Sequence, residues 1–179
     1  DMAPALQPII GGSRFKTDVE TTMDFPDVFS LGAAWLPTPK WVIALDFEWV
    51  GWSSFDSSTL DFENDIPPAG IRDQTQNLDW KDVWQIKVGI DYRLSDPIAL
   101  RCGYAYVNSP VPERTLTPAN PDADQHSFAI GFGYHIRKWI IDSFYTAGFF
   151  EDRTVENDIL SGTYENFTHY GGISIGYQF

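Results

Sequence analysis

The side chains of this 179-residue chain that could do chemistry are few and scattered. A single cysteine, Cys102, excludes an intrachain disulfide and any cysteine-based zinc cage, and His126, His135 and His169 make no HExxH-type pair. The acidic run Asp61, Glu63 and Asp65 could in principle hold a divalent cation. It lacks the glycine and distal glutamate of an EF-hand and is read as a solvated loop. Cys102 is read as inert packing. No nucleophile, base and oxyanion set is evident, so no enzyme, metal or cofactor is expected.

The charge balance, 12 Lys plus Arg against 25 Asp plus Glu for a net −13, lacks the basic cluster that phosphate binding needs, which sets nucleic acid aside. Hydrophobic residues at 43% and aromatics at 16% are too many for an acidic disordered tail. No stretch approaches the roughly 18 apolar residues of a membrane-spanning helix, and the N-terminus lacks the layout of a signal peptide. A transmembrane barrel strand needs only about ten alternating residues. Periodicity therefore decides.

Trp84 to Leu94 places Trp84, Ile86, Val88, Ile90, Tyr92 and Leu94 on one face and Gln85, Lys87, Gly89, Asp91 and Arg93 on the other. Ile98–Val107, Phe128–Arg137 and Trp41–Trp49 repeat the design, with no charge on any of the four apolar faces. In a soluble sandwich the apolar face would be the core. Here small residues and charges share the opposite face, and large aromatics crowd the strand ends, as in the girdles of a membrane barrel. Weaker alternation over Arg14–Phe25, Phe29–Trp35, Trp139–Phe149 and Phe167–Phe179 brings the expected count to eight strands. Short turns at 36–40, 95–97 and 137–139 alternate with long polar loops at about 54–79, 108–125 and 151–166, and both chain ends are expected on the short-turn side. Pro26-Asp27 is the exception, a short link where a long loop belongs. Residues 1–12 are read as a linker or the remnant of a preceding strand, and 13–179 as the barrel region.

With the strands placed, the connecting motifs stand out. Ser109-Pro110-Val111-Pro112, then Asn120-Pro121-Asp122-Ala123-Asp124-Gln125, with Phe25-Pro26-Asp27, Trp52-Ser53-Ser54-Phe55 and Trp80-Lys81-Asp82 in support, resemble the C-terminal part of the FadL family of outer-membrane transporters for long-chain fatty acids and aromatic hydrocarbons. The resemblance implies a monomeric fourteen-stranded antiparallel barrel in a Gram-negative outer membrane, set in lipid and lipopolysaccharide, plugged by an N-terminal hatch and passing a hydrophobic compound to a lateral exit. Eight strands cannot supply all of that. The chain is either the C-terminal part of the larger barrel, the reading preferred, or a small closed barrel without a transport path.

The resemblance also implies a basic side chain four residues before the aromatic-Lys-Asp motif, where this chain has Gln76, a neutral amide that cannot pair a carboxylate ionically. Arg72 could compensate, or the ligand could be an uncharged hydrocarbon. Of the inward charges Asp46, Glu48, Lys87, Asp91, Arg93, Arg101, Arg137 and Asp142, most are expected in cross-strand ion pairs, with Lys87 and Arg101 the best ligand contacts. Inward Phe144 and Phe150 could border an apolar pocket or pack across the lumen. Ile173, Ile175, Tyr177 and a terminal Phe179 resemble the signal read by the barrel-assembly machinery. That reading makes Phe179 the natural C-terminus. A structural barrel without transport, an outer-membrane enzyme and a soluble ligand-binding barrel are the competing readings.

Overall fold

In a computed structural model the described residues are 16–22, 24–64, 71–118, 121–157 and 161–179. Twelve strands follow in chain order: β1 Val19–Glu20, β2 Val28–Thr38, β3 Trp41–Val50, β4 Ser57–Phe62, β5 Gln74–Asn77, β6 Val83–Ser95, β7 Ile98–Val107, β8 Gln125–Ile136, β9 Trp139–Phe150, β10 Arg153–Val155, β11 Gly162–Tyr164 and β12 Phe167–Tyr177. Seven form one antiparallel wall in the order β12-β9-β8-β7-β6-β3-β2. The remaining strands pair in the long loops, as β1-β4-β5 and as the hairpin β10-β11.

The cross-strand register confirms the alternation. Ile90, Cys102, Ile130 and Tyr145 stand in one row on the outer face, and Gly89, Gly103, Ala129 and Thr146 in the next row on the inner face. Outer side chains such as Leu31, Trp35, Leu45, Ile130 and Ile173 are exposed in the isolated chain, because their solvent is lipid. Two aromatic belts bound this band. Trp84, Tyr106, His126, Phe149 and Phe167 line the long-loop end, with Trp84–Tyr106 and Tyr106–His126 ring centroids at 5.2 and 5.0 Å. Trp41–Tyr92 and Trp139–Tyr177, at 4.4 and 4.9 Å, mark the short-turn end. From Trp84 to Tyr92 the strand rises about 27 Å, enough for a tilted strand to cross the hydrocarbon layer.

One expected wall strand is not there. Of Arg14–Phe25, residues 14, 15 and 23 lie outside the described residues, and the rest contributes only β1, with Val19 opposite Phe62 and Glu20 opposite Asp61. The physical reason lies in its alternation: Thr17, Val19 and Thr21 make a face too polar for lipid, against Lys16, Asp18 and Glu20. The loop hairpin takes it up instead, with the Glu63 and Asn64 amides donating to Asp18 O and Thr17 Oγ1, both at 3.1 Å. This removes the Pro26-Asp27 anomaly. The link joins a loop segment to β2, and Asp27 O accepts the Gly51 amide at 2.9 Å as an extension of the β2–β3 ladder.

With seven wall strands, β2 and β12 both run from the long-loop side to the short-turn side, so the chain does not enter and leave the wall on the same side as expected. Two parallel edges cannot join in an antiparallel ladder. The sheet is open, each edge strand having one neighbour, which is the form of a partial barrel and not of a small closed one.

The best-buried side chains sit in the loops. Leu116 and Val155 are fully buried and pack with Val111, Trp80 and Tyr164, while Trp80 meets both Trp52 and Phe55 edge-on. Charge-capable side chains knit this cap. Arg153 donates to Ser109 Oγ, Asp122 O and Val111 O at 3.4, 3.0 and 2.6 Å. Ser109 donates its amide to Asp124 and its hydroxyl to Asp122, at 2.8 and 2.7 Å, and the Lys81 amide donates to Pro110 O at 2.9 Å.

Candidate ligand-binding face

The inner face of the wall is built in rows. Nearest the long loops stand Ser30, Glu48, Gln85, Val107, Gln125 and Phe150, then Gly32, Asp46, Lys87, Ala105, Ser127, Gly148 and Thr168. A row of small residues follows: Ala34, Ala44, Gly89, Gly103, Ala129 and Thr146, ending at Tyr170. Beyond it come Asp91, Arg101, Gly131, Phe144 and Gly172, and then Arg93, Ala99, Gly133, Asp142 and Ser174.

Arg101 is the centre of the lower rows. Its Nε donates to Asp91 Oδ2 at 2.7 Å on β6, and its Nη1 to Asp142 Oδ1 at 2.6 Å on β9. The second bond passes over an entire strand. It can do so because β8 carries glycines there: a Cβ at Gly133 would lie 2.9 Å from Asp142 Oδ1 and 3.1 Å from Arg101 Nη2, and one at Gly131 would lie 3.3 Å from Arg101 Cβ. The Phe144 ring uses the same device on the other side, lying over Gly172, where a Cβ would come within 2.6 Å of the ring edge. Tyr170 meets Phe144 edge-on at 6.0 Å. Between clamp and ring lies an apolar hollow of about 370 Å³, walled by Arg101, Gly103, Ala129, Gly131, Phe144 and Gly172 among others.

The site residues read from the sequence separate into groups. Arg101 and Phe144 come together at this hollow. Lys87 faces inward two rows nearer the long loops, opposite Asp46, but the Asp46 carboxylate takes the space above Gly32 on the far side, and Lys87 makes no ion pair among the described residues. Phe150 ends β9 at the long-loop rim, opposite Gln125, and Gln76 and Arg72 belong to the loop region of β4 and β5, Gln76 facing Ser58. Arg137 does not line the wall. It sits in the β8–β9 turn with φ 56°. Asp91, Asp142 and Arg101 bear out cross-strand ion pairing, whereas Glu48 is met by Gln85 and, at 3.1 Å, by Ser30. The His126 Nδ1 lies 2.8 Å from the Tyr104 hydroxyl and its Nε2 3.6 Å from Glu151, at the outer rim. Asp61 and Glu63 line an acidic dent near β1, Asp65 lies outside the described residues, and no group of three or more metal-ligating side chains occurs among the described residues.

What the sequence missed is Asp142 as the second clamp of Arg101, and Gly172 as the seat of Phe144. Gly131 and Gly133, alternating on the inner face of β8, were the visible signal.

The profile of the family described as outer membrane protein transport protein (OMPP1/FadL/TodX) matches residues 2–179. The chain belongs to that family. Outer membrane protein NMB0088 of Neisseria meningitidis serogroup B is 28% identical over 141 residues, covering 76% of this chain and 30% of that protein. The long-chain fatty acid transport protein of Escherichia coli K12 is 24% identical over 117 residues, 65% of this chain and 25% of that protein. Among solved structures, a Pseudomonas aeruginosa FadL homologue superposes with a TM-score of 0.73 at 24% identity, covering 89% of this chain and 37% of its own. The Pseudomonas putida toluene transporter TodX superposes at 0.63 and 18% identity, covering 90% and 36%. These likenesses give the fold of an outer-membrane barrel wall, and this chain spans well under half the length of each relative. Family membership places the chain in the outer membrane of a Gram-negative bacterium, in a family of transport proteins rather than enzymes.

Proposed function

We propose that this chain forms part of the wall of a monomeric fourteen-stranded outer-membrane channel for passive uptake of hydrophobic compounds, long-chain fatty acids or hydrocarbons. The observation that carries the reading is the luminal hollow itself. A largely apolar pocket lined by Gly103, Ala129, Gly131, Gly172 and the Phe144 ring beside the Arg101–Asp142 pair, on the inner face of a wall whose outer face suits lipid, offers a hydrophobic compound a resting place inside the barrel. Gln76 and Arg72 at the loop end would meet a ligand first, Lys87 and Phe150 would line the upper lumen, and Arg101 and Phe144 the lower. Ile173, Ile175, Tyr177 and Phe179 present an exposed apolar edge that the barrel-assembly machinery would read, with outer-membrane lipid and lipopolysaccharide as surroundings.

The test is accumulation of radiolabelled hexadecane and oleate by cells with and without the protein, at equal surface level. Faster accumulation of either compound is expected. Equal rates with and without the protein for both compounds overturn the reading and leave a structural barrel.

A further inference from the structure

Resting on that uptake reading, we propose that the hollow between Arg101 and Phe144 is a binding subsite for an uncharged, ring-sized hydrophobic group, and that the Asp91–Arg101–Asp142 clamp excludes carboxylates from it.

Two observations carry this. The first is charge. Arg101 and Asp142 are the charged groups in the wall of the hollow, and they are bonded to each other. The Nε of Arg101 goes to Asp91, so two carboxylates face one guanidinium and the trio carries a net −1. An arginine with open hydrogen-bonding edges attracts a carboxylate by a paired fork. Here Nε and Nη1 are already engaged, one on each two-donor edge of the guanidinium, and an entering carboxylate meets a surplus of like charge.

The second observation is shape. Gly131 and Gly172 let Arg101 and Phe144 lie flat against the wall instead of projecting into the lumen, and this flattening produces the hollow. Its volume, about 370 Å³, exceeds the roughly 150 Å³ that suffices for one benzene in a dry apolar cavity. A one- or two-ring hydrocarbon therefore fits, with the Phe144 face and the Tyr170 edge as aromatic contacts.

The test compares naphthalene with 2-naphthoate, which share a ring system and differ by one carboxylate, binding to protein extracted from the outer membrane as the cell assembles it. Each variant is first checked for the gel shift on boiling that reports a folded barrel. Wild type is expected to bind naphthalene about tenfold tighter than 2-naphthoate. Asp142→Asn returns the trio to neutrality, and the ratio is expected to fall to about threefold or less. Ala129→Leu fills the hollow from the wall and is expected to weaken naphthalene about tenfold. Phe144→Ala serves as a second probe of the pocket should Ala129→Leu lose the gel shift. Naphthoate binding as tightly as naphthalene in wild type, or a ratio unmoved by Asp142→Asn, overturns the charge assignment. Naphthalene binding untouched by the pocket variants overturns the location. In either case hexadecane or oleate uptake that persists leaves the channel reading standing, whereas loss of all uptake by comparison with cells lacking the protein defeats both.

Discussion

The wall and the loop cap solve opposite problems. Side chains of the wall are exposed on the outside to lipid and on the inside to the lumen, and its shape comes from backbone ladders running across seven strands. The cap has almost no ladder. It holds together as a small water-soluble domain does, by burying Leu116 and Val155 against Trp80 and Tyr164 and by tying Arg153 to three oxygens. Each region should therefore respond to a different class of substitution.

The largest effect is expected in the wall. Val88 and Gly89 are neighbours in sequence on opposite faces, midway between the aromatic belts. Val88→Arg puts a cation in the hydrocarbon and should destabilise the inserted barrel by about 3 kcal/mol, while Gly89→Arg points into the lumen, where a Cβ meets nothing within 4 Å, and should cost little. Urea titration of the folded fraction in lipid vesicles separates the two. Equal costs would mean that the two faces are not lipid and lumen.

Next comes the cap. Leu116→Ala deletes the centre of a very small core and should cost about 2–4 kcal/mol, confined to the loops. Amide exchange should rise at β10 and β11 and in residues 108–118, while the β6–β7 and β8–β9 ladders keep their protection. A uniform rise across cap and wall would show that the two are one cooperative unit. Arg153→Met keeps the aliphatic stem and strands three acceptors, two of them backbone carbonyls, for about 2 kcal/mol in the same region. If Arg153→Met exceeds Leu116→Ala, polar ties and not apolar burial hold the cap.

How much of this could be read from the sequence follows the same division. The wall was legible because one face of each strand meets a single uniform solvent, so Ile86, Val88 and Ile90 announce themselves without knowledge of any neighbour. Register was not legible. Arg101 meets Asp142 two strands away only through the β7–β8–β9 alignment, and nothing local to Arg101 signals it beyond the glycines at 131 and 133. The cap hairpins β4–β5 and β10–β11 were missed because their strands run to between three and six residues, too short to give a period to detect. The motifs that revealed the family, Ser109 to Pro112 and Pro121 to Gln125, prove to be ties of the cap. Family resemblance was strongest where the loops must fold on themselves. The inner face, where ligand chemistry belongs, carried less signal because alanine, glycine and isolated charges satisfy it.

The smallest expected effect tests whether cap and wall differ in their response to pH, and it depends on two carboxylates of opposite sign. Burial raises the Asp122 carboxyl above its ordinary 3.8, against the opposing pull of the Ser109 hydroxyl and the Ala123 amide. Asp82 is lowered by its hydrogen bonds from Ser53, whose amide donates to Asp82 Oδ1 at 2.9 Å. A carboxyl whose folded pKa is raised contributes stability that is present below 3.8 and is lost as pH rises through the folded value. A carboxyl whose folded pKa is depressed contributes stability present above 3.8, lost as pH falls through the folded value. Asp122→Asn keeps an acceptor for the Ser109 hydroxyl but removes the titration, so the cap of the variant should gain protection over wild type as pH rises above 3.8. Asp82→Asn should do the reverse, leaving the cap less protected than wild type at neutral pH and converging with it in acid. Amide exchange of residues 108–118 measured from acid to neutral pH in the three proteins reads both slopes. Parallel curves for wild type and Asp122→Asn would show that Asp122 is solvated rather than held inside the cap, and the division between a lipid-built wall and a water-built cap would lose its electrostatic half.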